Sequence, residues 1–94
     1  ENKRVGLAFK ATAAMNVFET TMLQIRLYRQ TVNDYGALLE GERQLFNGGE
    51  SSLFMINSRE IGFINAELKM VELVTKNRLA ILKIQHAIGQ LANE

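Results

Sequence analysis

Ninety-four residues pass without a single proline, and that absence constrains the fold more than any motif does. A proline inside a helix removes a backbone donor, clashes with the preceding turn and costs about 3 kcal/mol. Soluble proteins carry about 5% proline on average, so a chain of this length free of it is open to uninterrupted helix. The apolar residues take up that option. From Leu7 they step by three and four through Ala11, Ala14, Phe18, Met22 and Ile25, then Val32, Tyr35, Leu39 and Phe46, which is helical periodicity. A second stripe runs Phe54, Ile61, Ile64, Leu68, Val71, Leu79 and Leu82. Neither segment alternates with period two, so strands are not expected.

The two stripes are separated by Asn47-Gly48-Gly49-Glu50-Ser51. The glycines supply the left-handed backbone that closes a helix. Glu50 places negative charge where the next helix exposes its first amides, and Ser51 or Ser52 can cap it. No capping box follows, so the choice between the two serines stays open. The reading is all-α: a long antiparallel helical hairpin, coiled-coil-like, with a helix over about 3–47, a turn at 48–51 and a helix over about 52–91. At 1.5 Å per residue each arm should reach on the order of 60 Å.

A hairpin needs one apolar seam per helix. Here Ile56, Phe63, Met70, Val74, Ile81, Ile84 and Ile88 lie off the second stripe. That leaves an apolar face over and predicts neighbours on two sides, as in a bundle or a wall of helices. The chain opens Glu1-Asn2-Lys3-Arg4, without an initiating Met, so a longer parent is expected. Self-association of the piece, as a dimer or four-helix bundle, follows from the same surplus.

Several function classes have no support. The net charge is +1, from 11 basic and 10 acidic side chains in no block, so nucleic acid is not an expected partner. Cysteine is absent, which removes thiolate chemistry and cysteine metal sites. No apolar stretch approaches the roughly 20 residues of a membrane-spanning helix. His86 is the sole histidine, too little for a metal site, and reads as structural or surface. Met15, Met22, Met55 and Met70 read as fillers of helix contacts. Asp34, Glu40 and Glu42 have no base or nucleophile beside them and read as a solvated face, whereas Arg59-Glu60 could pair with a neighbouring helix. The Gly48-Gly49 pair lacks the Lys-Ser/Thr of a phosphate loop, and Ser51 and Ser52 lack a nucleophile elbow. No catalytic, cofactor or metal residues are expected, and the chain does not read as an enzyme. Gly36, Gly41, Gly62 and Gly89 lie within the expected helices, where close helix approach or bending would account for them.

The stretch Phe46-Asn47-Gly48-Gly49-Glu50-Ser51-Ser52-Leu53-Phe54-Met55-Ile56-Asn57-Ser58-Arg59-Glu60 resembles the turn of the TolC-like outer-membrane efflux channel family. There a long helix ends in an aromatic, a Gly and a Ser-containing turn precede the returning helix, and an Asn-Ser-Arg-like start follows. The wording Gly-Glu-Ser-Ser-Leu-Phe looks like the Bacteroidetes-type branch. Gln24-Ile25-Arg26-Leu27-Tyr28, Asn33-Asp34-Tyr35, Ala66-Glu67-Leu68-Lys69 and Ile84-Gln85-His86-Ala87-Ile88-Gly89-Gln90-Leu91 are also similar to that family. The resemblance spans nearly the whole chain, and its specificity is concentrated between Phe46 and Glu60.

The resemblance implies a second-repeat periplasmic hairpin of a trimeric α-barrel. The parent would sit in the outer membrane through strands that this chain lacks, and would export small molecules or proteins with a membrane-fusion adaptor and an inner-membrane pump. The adaptor-docking tip at the entrance would comprise Phe46, Gly48, Gly49, Glu50, Ser51, Ser52, Leu53 and Phe54. Relatives with an acidic entrance ring carry Asp where this chain has Met55 and Ser58. Relatives with a Tyr–Arg lock are matched here by Phe46 and Ser51, so closure is expected to rest on apolar contacts among Phe46, Leu53 and Phe54. The competing reading is a generic helical-hairpin or coiled-coil module, structural or adaptor in role, with no part in transport.

Overall fold

The computed structural model describes residues 2–93, with side chains from Lys3 to Asn93. Two α-helices account for almost all of them: α1, Asn2–Asn47, and α2, Leu53–Ala92. They form an antiparallel helical hairpin with no strand among the described residues. The all-α hairpin anticipated from proline absence and three–four spacing is the fold observed. No helix is long and apolar enough to cross a membrane among the described residues.

The chain divides into two compact units, each built from a piece of both helices. The first joins α1 through Ile25 to α2 from Leu73 onward. Its contact line on α1 is Leu7, Ala11, Ala14, Phe18, Thr21 and Ile25, all buried or half-buried. On α2 it is Leu73, Asn77, Ala80, Ile84, Ala87 and Leu91. Successive positions alternate steps of three and four, the heptad pattern of a coiled-coil seam. Near its middle the seam turns polar. The Asn77 side-chain amide donates to the Phe18 carbonyl at 3.2 Å and to Thr21 Oγ1 at 3.0 Å. Thr21 Oγ1 in turn donates to the Val17 carbonyl at 2.7 Å. Each polar group in this cluster has a partner, which is what makes its burial tolerable.

The second unit spans Arg26–Glu72 and contains the turn. Tyr28, Val32, Gly36, Leu39 and Glu42 on α1 lie along the same seam as Ile56, Arg59, Phe63, Ala66 and Met70 on α2. Two glycines sit under aromatic rings from the opposite helix. A Cβ on Gly36 would lie 3.2 Å from the Phe63 ring, and one on Gly62 would lie 3.1 Å from the Tyr35 ring. The close-approach role considered for the helical glycines therefore holds at these two. At Gly41 and Gly89 a Cβ would meet nothing within 4 Å.

The seam of α2 is not the stripe that the spacing singled out. Phe54, Ile61, Ile64, Leu68, Val71, Leu79 and Leu82 are all exposed. The buried line instead passes through Phe63, Met70 and Ile84, which the spacing had placed off the seam, together with Ala66, Ala80 and Ala87. Small side chains let two backbones approach and leave room for larger residues opposite. This line also puts Arg59 and Asn77 where α1 offers acceptors. On α1 the seam takes Thr21 in place of the neighbouring Met22, which is exposed. Met15 and Met55 are also exposed, so Met70 is the methionine that fills a helix contact.

Candidate functional site

The turn is closed by a chain of backbone bonds. Gly48 N–H continues the α1 ladder to the Gln44 carbonyl at 3.1 Å. Gly49 N–H then reaches back to Phe46 O at 3.0 Å, and Glu50 N–H to Leu45 O at 2.7 Å. This nested pair is the Schellman arrangement, with Gly49 as its left-handed residue at φ +79°. Ser52 begins the return. Its Oγ accepts from Met55 N–H at 3.2 Å, the N-cap bond to the third helical residue, so Ser52 is the cap of α2.

Ser51 does something else. Its hydroxyl donates to Glu42 Oε2 at 2.5 Å, while Arg59 Nε donates to Glu42 Oε1 at 3.2 Å. One carboxylate thereby ties the end of α1 to the turn and to the second turn of α2. Glu42 is only 7% exposed, which corrects its placement on a solvated face; its partners lie nine and seventeen residues further on, across the turn. The Ser51 hydrogen bond holds its carboxyl below the ordinary value of 4.5, against the opposing effect of burial and with help from Arg59. Arg59 does pair with the neighbouring helix, as its position suggested. Asp34 and Glu40 are exposed, and Asp34 accepts from Gln30 Nε2 at 2.9 Å.

The residues expected to form a docking tip are thus sorted by the turn. Gly48 and Gly49 close it, Ser51 faces inward to Glu42, and Ser52 caps α2. Phe46, Glu50, Leu53 and Phe54 are exposed, Leu53 at 65% and Phe54 at 78%. Met55 and Ser58 are exposed as well. Spacing had passed over Glu42 as part of this site, although it continues the three–four progression from Leu39.

A second feature lies within the first unit. Between α1 and α2 an open groove of about 780 Å³ has an apolar floor that includes Leu7, Ala14, Val17, Ala80 and Ala87. Lys10, Lys76, Lys83 and His86 also line it, and none of its lining residues is acidic. Nothing in the sequence periodicity marked it, because its lysines are scattered over two helices. Among the described residues no group of three or more His, Asp or Glu side chains is placed to hold a metal ion.

Compared with known proteins, the chain matches no family model, no curated protein and no solved structure at a significant level.

Proposed function

We propose that this chain is a periplasmic wall hairpin of an outer-membrane export channel, with its turn as the entrance and the docking surface for a membrane-fusion adaptor. The observation that carries this reading is the turn itself. Leu53 and Phe54 stand in solvent at the start of α2, beside a turn held by two nested backbone bonds, a serine cap and the Glu42 carboxylate. Apolar side chains kept exposed on an ordered support suit a docking surface, because little entropy remains to be lost when a partner covers them. The apolar face of α2 opposite its seam is what a wall of helices needs, since each helix there has neighbours on both sides. Trimerisation of the parent, cargo export and the outer-membrane setting belong to this proposal.

The generic hairpin-module reading has one observation in its favour. The Asn77–Thr21 contact is a buried polar pair of the kind that sets register in coiled coils. The test is made in the full-length channel. Phe54→Ala should change single-channel conductance or sensitivity to exported antibiotics at unchanged protein level. If both stay at wild-type values, the entrance role of the turn is refuted.

A further inference from the structure

We propose that a second copy of this chain docks head to tail on the first, an acid-edged apolar ridge from one copy entering the lysine-lined groove of the other. This goes beyond the export reading and does not depend on it. The ridge lies on the α2 part of the second unit: Ile61, Ile64, Leu68 and Val71, each 51–61% exposed, lie on the helix face away from the seam. Glu60 and Glu67 run along its edge. The groove lies in the first unit, with Lys76 and Lys83 on its α2 side and Lys10 on its α1 side.

Charge complementarity selects this occupant. The segments of the first unit hold six basic and three acidic side chains, those of the second five basic and seven acidic. Their net charges are therefore +3 and −2. Glu60 and Glu67 are seven residues apart, as are Lys76 and Lys83, so both pairs repeat at about 10.5 Å along a helix. Two carboxylates on a ridge thus meet two ammonium groups on a groove at one pitch, with apolar surface between them. In-register docking of groove on groove would instead bring the lysines of one copy against those of the other.

The test uses charge swaps in the 94-residue chain, with helicity by circular dichroism confirming that each variant folds. The wild-type chain should associate in sedimentation equilibrium, more weakly as salt rises. Glu60→Lys with Glu67→Lys should weaken self-association about tenfold or more, as should Lys76→Glu with Lys83→Glu. Mixing the two variants should restore it, because ridge and groove are again opposite in sign. The chain has no cysteine, so Ile64→Cys mixed with Leu79→Cys reports register, since the paired charges set these two positions opposite each other: the mixed disulfide should exceed the Ile64→Cys homodimer. A monomer at all concentrations, a ridge reversal without effect, or a dominant homodimer cross-link would overturn the proposal. None of these outcomes bears on conductance of Phe54→Ala, so the two proposals fail separately.

Discussion

Asn77→Ala tests whether the polar cluster holds the first unit together. The amide of Asn77 makes two bonds across the seam, to Phe18 O and Thr21 Oγ1. A hydrogen bond of this kind contributes about 1 kcal/mol net, so losing both costs about 2 kcal/mol. Neither acceptor is orphaned, because Phe18 O lies within the α1 ladder and Thr21 keeps its bond to Val17 O. No further desolvation penalty is therefore expected. For a chain of this size about 2 kcal/mol lowers the melting temperature by about 8–16 °C. Thermal melts at one fixed protein concentration, so that wild type and variant are compared at the same level of association, would read it. A double-mutant cycle with Thr21→Val should give a coupling of about 1 kcal/mol. Asn77→Leu should lie within about 1 kcal/mol of wild type, since apolar burial offsets the lost bonds, but should relax the register and multiply amide resonances. A shift under about 0.5 kcal/mol for Asn77→Ala with zero coupling would show that the cluster contributes nothing to the seam.

Three further outcomes are expected. Gly49→Ala forces an alanine into the left-handed region at φ +79° with nothing within 4 Å of its Cβ; the penalty is purely backbone, about 1–2 kcal/mol, and appears in the same melts. Gly41→Ala places a methyl in open space on a helix and should stabilise by about 0.5–1 kcal/mol; a loss would mean that α1 bends there in solution. Glu42 has a folded pKa below its ordinary 4.5, so its contribution is fully present above that value and lost as pH falls through the lowered one. Glu42→Gln should therefore flatten the decline in melting temperature between neutral and strongly acid pH, and an unchanged pH profile would remove Glu42 from the turn's support.

The two helices and the turn were legible because their signals are local. Proline absence, three–four spacing and the Asn47-Gly48-Gly49 break each act within a few residues, and the Schellman bonds at Gly49 are what such a break encodes. The second serine could not be chosen over the first from sequence alone, because both stand within reach of the first amides. What separated them was a partner outside the local window: Ser51 turns to Glu42, leaving Ser52 to cap. Glu42 was misplaced for the same reason. A carboxylate on a helix surface and one on a seam share the same spacing until its partners across the turn are known.

The seam of α2 escaped for a different reason, and that reason bears on function. Helical spacing identifies a buried face only when the opposite face is polar. On α2 the large exposed residues Ile61, Leu68 and Leu82 outweigh in hydrophobicity the alanines that pack against α1, so apolar content pointed to the wrong side. Seam geometry favours small residues and satisfied polar ones, which hydrophobicity undervalues. Nothing in this hairpin requires the larger residues on the far side, since the helices already cover each other along the alanine line. Ile61, Ile64 and Leu68 on that face are a surplus that a neighbouring helix can use, whether in a channel wall or in a second copy. The ambiguity of the stripe and the capacity to associate are thus one property of α2: a helix with a single apolar face would have been assigned correctly and would have had no second surface to offer.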